Sequence, residues 1–295
     1  MSKINILFII NPISGGKSKL ALPELISAKL DKGKFDPLYR FTEHVGHGGE
    51  IVAEMGERFE VIVAVGGDGT INEVATKVKA LGKTLGVVPF GSGNGLSRYL
   101  KIPMNTAAAI EVLNNYHVIA IDSAVLNGRH FFNMAGIGFD AHISAIFAGQ
   151  KGRGLAGYIK LGLREVLAYQ PDDYRLVIDG KTYERQAYVI SFANSSQYGN
   201  NAFISPKASV TDGWLDVCII KYIPFYKLPL LLYYMWSGKT DQSSMVEIIK
   251  GKRISVTRMK SAPVHIDGEP FFLDKDINIT MEPLSLNIIV PEYEK

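Results

Sequence analysis

Apolar positions along the first third of the chain recur with two different periods. NILFII (residues 5–10) and VIVAV (61–65) are unbroken apolar runs of strand length, and PLYRFT (37–42) and TLGVVPF (84–90) add two more strands. Between them, Leu22, Leu25, Ile26 and Lys29 fall at helical spacing. So do Ile51, Val52 and Met55, and then Ile71, Val74, Ala75 and Val78. Strands apolar at every position are buried on both faces, so the alternation predicts a parallel sheet covered by helices, a Rossmann-like α/β domain. Ligands of such sheets bind at the carboxyl ends of the strands.

After residue 122 the pattern changes to short runs: RLVIDG, AYVISFANS, WLDVCII, RISVTRM, PVHIDGE, INITME and LNIIV. Asp-Gly, Gly-Asn and Pro-Leu punctuate them, which predicts an antiparallel sandwich or barrel. Two helical segments interrupt it, GLAGYIKLGLREVLAY and FYKLPLLLYYMW. With no repeat and no low-complexity linker, the expected border is a tight crossover. The expected domains are 1–122, joined by the tail 284–295, and an all-β-rich sandwich over 123–283.

Composition narrows this picture only slightly. A length of 295 residues with 47% hydrophobic content is ample for two cores, and a formal charge of +3 is too slight to imply nucleic acid. The single cysteine, Cys218, excludes an intramolecular disulfide and fits a reducing compartment. MSKINILFIINP reads as a buried strand rather than a secretory leader. LPLLLYYMWSG (228–238) is about half of the ~20 residues a bilayer span needs, so a cytoplasmic protein with no transmembrane segment is expected.

Candidate chemistry concentrates in three glycine-rich turns, each following an apolar run. VGGDGTINEV (65–74) has Gly66, Gly67 and Gly69, which let the backbone approach a ligand closely, and a helix start that favours phosphate. Thr70 and Glu73 stand at capping-box spacing. Asp68 suits an anion only with a Mg²⁺ between them. PFGSGNGLSR (89–98) offers Ser92 and Asn94 as phosphate or sugar contacts, with Arg98 one turn further on. NPISGGKSK (11–19) ends like a P-loop, but Asn11 stands where that motif requires glycine. Three strand-end loops sharing one nucleotide is the expectation instead.

NPISGGK, VGGDGTINEV and PFGSGNGLSR, in this order, resemble the diacylglycerol kinase catalytic family, which includes bacterial soluble lipid kinases and sphingosine and ceramide kinases. The resemblance extends through IDSA (121–124), FFNMAGIGFDA (131–141), TDGWLDV (211–217) and HIDGEPF (265–271). It implies a nucleotide-binding α/β domain followed by a β-sandwich, ATP in the cleft between them, and a role in phospholipid biosynthesis. It further implies that Asn11, Thr42, the Gly66-to-Asn72 loop, Ser92 and Asn94 contact ATP, and that Asp68 acts through the catalytic Mg²⁺. Asp267 would be the general base toward the lipid hydroxyl, with Glu269 and Asp122 in the same acidic network. Asp212, with the backbone carbonyls of Ser209 and Trp214, would hold a structural Mg²⁺. Bacterial diacylglycerol kinases often carry Asn-Asp in the second loop. Here Asn94-Gly95 looks more like the sphingosine and ceramide kinase branch, in which Asp140 lies near the acceptor-recognising position.

A carboxylate base is what a poorly nucleophilic alcohol requires near neutral pH. Read without the resemblance, IDGEPF and DGWLD are β-turns with solvated carboxylates, and Asp140 caps a turn. The partners implied are ATP and a lipid met at the inner face of the membrane, with a homodimer left open. FYKLPLLLYYMWSGK and KGRGLAGYIK suit interfacial contact or an acceptor slot, and equally suit helices packed on the sandwich. The six histidines show no zinc spacing and read as structural or solvated. Two other functions remain: an NAD kinase-like small-molecule kinase, and a nucleotide-binding regulator without catalysis.

Overall fold

The computed structural model describes residues 3–16, 21–148, 162, 164–166 and 168–292. Lys17 to Lys19 of the first loop and the stretch KGRGLAGYIK lie outside the described residues. The chain divides into two compact units, Met1–Ile121 with Leu284–Lys295, and Asp122–Pro283.

In the first unit, strands β1 (Ile4–Ile10), β2 (Phe35–Phe41), β3 (Val61–Gly66) and β4 (Thr84–Pro89) form a parallel sheet in the order β2-β1-β3-β4. The end of the last strand, β16 (Asp276–Ile289), extends it, with Asn287 and Ile288 beside Thr84 and Leu85. Helices α1 (Leu22–Lys29), α2 (His47–Met55), α3 (Asp68–Ala80), α4 (Gly95–Tyr99) and α5 (Thr106–Asn115) connect the strands. α2 packs on α3, and α1 on α5. β3 is buried at every position, as its unbroken apolar run requires. α5 is a helix that no expectation above covers. Its start is readable afterwards: the Asn105 carboxamide oxygen accepts from the Ala108 amide at 3.1 Å, ahead of three alanines.

The second unit is an antiparallel sandwich. After β5 (Val118–Leu126) and β6 (Arg129–Phe131) come β7 (Met134–Gly138) and helix α6 (Phe139–Ala148). Strands β8 (Asp172–Ile178), β9 (Lys181–Ala187), β10 (Val189–Ala193) and β11 (Leu215–Ile220) follow, then helix α7 (Leu228–Trp236). β12 (Val246–Gly251), β13 (Arg253–Arg258), β14 (Ala262–Ile266) and β15 (Glu269–Leu273) lead into β16. One sheet runs β12-β11-β10-β7-β14-β15, and the other contains β16-β13-β8-β9. Leu176, Ile254 and Ile277 of the second sheet meet Ile137, Phe192 and Val217 of the first in the core.

The two sheets differ in pattern for a physical reason. β13 alternates buried and exposed because only one face is covered. β10 and β11 are buried throughout, because their other face packs against Ile223 and Leu231 of α7's layer. Cys218 belongs to that layer, fully buried, where desolvation pushes its thiol pKa up. No helix among the described residues is long and apolar enough to cross a membrane.

Candidate active site

The three glycine turns meet in the first unit. Asn11 follows β1; its amide donates to Val65 O at 3.0 Å and its side-chain Nδ2 to Thr70 Oγ1 at 3.0 Å. Phe90 N donates to Gly66 O at 2.7 Å, and Thr42 N donates to Ile10 O at 2.9 Å. Glycine is what makes these approaches possible. A Cβ on Gly15, whose φ is +65°, would collide with the Phe90 carbonyl oxygen. One on Gly91 would lie 2.8 Å from Gly67 Cα and 2.5 Å from Asn94 Oδ1. The result is a cradle of main chain at the carboxyl ends of β1, β3 and β4, closed on one side by the start of α3. Ser92 lies exposed on its rim, Asn72 and Gly69 are half-buried, and Thr42 is buried.

Asp68, the first residue of α3, clamps its own 66–72 turn to the 91–95 turn. Its Oδ2 accepts from Asn94 N at 2.8 Å and its Oδ1 from Gly95 N at 3.0 Å. That brace gives the acid a structural role among these glycines. Carboxylate oxygens such as those of Asp68 are also ligands that suit Mg²⁺. The capping box expected of Thr70 and Glu73 is not formed. Gly67 is the N-cap, with no side-chain cap bond. Thr70 faces Asn11 instead, and Glu73 Oε1 accepts from Gly46 N at 2.7 Å, tying α3 to the start of α2.

The remaining candidates lie in the second unit. Asp267 and Gly268 are the two-residue turn of the β14–β15 hairpin, with φ of +46° and +87°, as a type I′ turn requires. The turn is as expected, but the carboxylate is buried rather than solvated. Its Oδ1 accepts from Asn133 N and Met134 N, both at 3.0 Å, and its Oδ2 from Phe132 N at 3.1 Å. Glu269, next in the hairpin, is exposed. Asp122 is fully buried and accepts from Gly213 N at 2.7 Å, pinning the Asp212-Gly213 turn. Asn194 links the two acids: its Nδ2 donates to Asp122 O at 2.9 Å and to Phe132 O at 2.7 Å. No sequence signal marks Asn194, because its partners are 72 and 62 residues away.

Asp140 opens α6 and is enclosed by donors. Its Oδ1 accepts from the adjacent Ala141 N at 2.7 Å, within the first turn of the helix. Its Oδ2 meets His265 Nε2 at 3.1 Å, Tyr198 OH at 3.2 Å and Ser191 Oγ at 3.5 Å. Gly136 on β7 leaves the room: a Cβ there would collide with both Asp140 Oδ2 and His265 Nε2. His265 is nearly fully buried, and its Nδ1 has no hydrogen-bond partner among the described residues.

Asp212 is exposed and already engaged, with Oδ1 accepting from Trp214 N at 3.0 Å and Oδ2 ion-paired to Lys250 at 2.7 Å. A Mg²⁺ held by Asp212, Ser209 and Trp214 would compete with that ammonium for one oxygen, so this donor set does not fit the ion as placed. Lys250 also approaches Asp216, at 3.8 Å. Burial raises the Asp216 carboxyl pKa, only partly offset by the Ser205 hydroxyl at 2.5 Å and by Lys250. A carboxyl raised in the folded state stabilises the fold below its unfolded pKa, and that contribution is lost as pH rises through the folded value. Asp216→Asn should therefore melt at or a few degrees above the parent at neutral pH, with the advantage gone near pH 4. Thermal melts at both pH values check this; an Asn variant less stable at neutral pH would refute it.

His44, His47 and Glu50 bring one ligating atom each within 4.8 Å of one another. His47 Nδ1, however, accepts from Glu43 N at 2.9 Å, and the two rings stack at 9° interplanar angle, so both cannot face one ion in plane. The arrangement suits stacking better than a metal.

Known proteins resemble this chain over nearly its whole length. A model described as "Diacylglycerol kinase catalytic domain" matches residues 5–126, and one described as "YegS C-terminal NAD kinase beta sandwich-like domain" matches residues 133–290. A diacylglycerol kinase of Staphylococcus saprophyticus is 28% identical over 269 residues, spanning 88% of this chain and 87% of that protein. One from Staphylococcus aureus is likewise 28% identical, over 88% and 84%. A solved structure of a Bacillus anthracis protein assigned as a diacylglycerol kinase superposes with a TM-score of 0.81 over 99% of this chain and 97% of that one, at 24% identity, which speaks to the fold.

Proposed function

Because the chain belongs to the family defined by a diacylglycerol kinase catalytic domain and a YegS-type C-terminal β-sandwich domain, we propose that it is an ATP- and Mg²⁺-dependent kinase of a neutral lipid hydroxyl, with diacylglycerol as acceptor. The observation carrying the reading is the meeting of three glycine turns, where Gly15 and Gly91 admit main chain that a side chain would displace and a Cβ on Gly67 would press to 3.2 Å from Gly91 Cα. Glycine turns at strand ends beside a helix start are an arrangement that suits phosphate. In this reading Asn11, Thr42, Gly66, Gly67, Gly69, Thr70, Asn72, Ser92 and Asn94 hold ATP, with Asp68 fixing the spacing of two loops. Mg²⁺, when bound, offsets charge on the phosphate oxygens. Asp267 takes the proton of the acceptor hydroxyl; its three amide donors fix the carboxylate in one orientation, and Asp122 and Glu269 complete the acidic surroundings.

Asp140 favours a neutral acceptor over a sphingoid base. Its Oδ2 receives His265 Nε2 and one hydroxyl of the mutually hydrogen-bonded Ser191–Tyr198 pair, its Oδ1 receives Ala141 N, and the side chain is only 12% exposed, so the carboxylate is turned into the protein rather than offered to an ammonium head. Purified protein with Mg²⁺ and γ-labelled ATP should label diacylglycerol in mixed micelles at least tenfold faster than sphingosine or ceramide. Preferential labelling of sphingosine would overturn the acceptor assignment. The sandwich model's description also names NAD kinase, so NAD belongs in a parallel lane. Label in that lane alone would replace the lipid reading, and none in any lane with ATP bound would point to a silent nucleotide-binding protein.

A further inference from the structure

Helix α7 is apolar all round, yet among the described residues only one side of it is covered. Leu231 is buried, with Leu228 and Met235 packed beside it against the sandwich. On the opposite side Tyr226, Leu230 and Tyr233 recur at helical spacing and are exposed, continued by Phe225 before the helix and Trp236 at its end. Exposures of 69% for Phe225 and 51% for Trp236 are large for such side chains. An apolar surface of this size in water marks a binding face.

The charges around it say what covers it. Residues 221–239, KYIPFYKLPLLLYYMWSGK, contain three lysines and no acid. Lys221 is neutralised by Glu247 at 3.4 Å, which Arg185 also holds at 2.8 Å, and nearby Asp241 is paired with Lys207 at 2.7 Å. Lys227 and Lys239 stand exposed at the two ends of the apolar face. A second copy of the chain would bring this face against itself, setting lysines near lysines with no acid to receive them. An anionic lipid surface meets both features: aromatic rings seat at the headgroup level and the two ammoniums stay with the phosphates.

We propose that the outer face of α7, with Phe225 and Tyr226, docks the protein on anionic lipid bilayers through Tyr226, Leu230, Tyr233 and Trp236, flanked by Lys227 and Lys239. This surface stands on its own geometry and goes beyond phosphoryl transfer; its test uses neither ATP nor turnover.

The full chain would be sedimented with phosphatidylcholine vesicles and with equimolar phosphatidylcholine–phosphatidylglycerol vesicles while tryptophan emission is recorded. Binding to the anionic vesicles with a blue shift is expected, the shift disappearing in Trp236→Phe because Trp214 remains elsewhere. Each lysine at such a surface contributes about fivefold, so Lys227→Gln with Lys239→Gln should weaken binding roughly 30-fold, the equivalent of about 2 kcal/mol. Leu230→Glu should abolish binding while leaving the melting temperature unchanged, since the side chain is exposed. Absence of vesicle binding by the parent, or binding indifferent to these substitutions, would overturn the proposal. So would a dimer in sedimentation velocity that Leu230→Glu dissociates. Turnover of a water-soluble short-chain diacylglycerol should be equal in the parent and the double lysine variant. No turnover in either would strike at the kinase assignment and leave the docking result standing.

Discussion

Replacing Asp267 with Asn is expected to lower turnover by ~10²–10⁴-fold, the range a positioned general base supplies, while leaving the KM for ATP unchanged. The structure adds a second expectation. Asn keeps one acceptor oxygen for the Asn133 and Met134 amides, but its NH₂ then faces the Phe132 amide that Oδ2 now receives at 3.1 Å. Leaving one buried N–H unanswered costs about 1–3 kcal/mol, or roughly 2–12 °C in Tm for a unit of this size. Loss of turnover must therefore be measured well below the variant's own melting temperature. A variant that is folded there, melts earlier and still turns over within a few-fold of the parent would reduce Asp267 to a structural anchor of the 132–134 segment.

The second large effect is expected at Gly91. In Gly91→Ala the new Cβ would lie 2.8 Å from Gly67 Cα, a backbone atom that cannot swing aside as a side chain would. Asn94 Oδ1, at 2.5 Å, now accepts from Gly91 N at 2.9 Å, so that bond must shift as well. Overpacking of this kind costs about 1–3 kcal/mol, and if the nucleotide is held by this loop in its parent position that cost lowers binding by roughly 5- to 150-fold. The expected outcome is a nucleotide affinity down by about that factor, read by ATP titration calorimetry, with the second unit's near-ultraviolet circular dichroism intact. An affinity within twofold of the parent would show that the Gly67–Gly91 contact does not shape the nucleotide site.

The capping-box expectation failed for an instructive reason. Thr-x-x-Glu spacing is a local signal, and it was met at positions 70 and 73. Both side chains were instead claimed by distant partners, Asn11 and Gly46, 59 and 27 residues away. Asp68 likewise has long-range partners that a local reading does not see: its Asn94 and Gly95 donors lie 26 and 27 residues on. IDGEPF was half legible: Asp-Gly at a two-residue hairpin follows from backbone preference, but the burial of that aspartate does not.

The sequence by itself determined the alternation of strand and helix in the first unit, the run of short strands in the second, the three glycine turns and the Asp-Gly hairpin. All of these follow from side-chain periodicity and φ preferences within a few residues, which a linear reading can see. Tertiary structure alone decided which carboxylates are occupied and by whom. Asp267 meets amides some 133–135 residues away, Asp122 one 91 away, and Asp140 a histidine 125 away. It also decided that one face of α7 is covered and the other is not. Satisfaction of buried polar groups and burial of apolar faces depend on what the rest of the chain brings alongside, and periodicity carries no record of that.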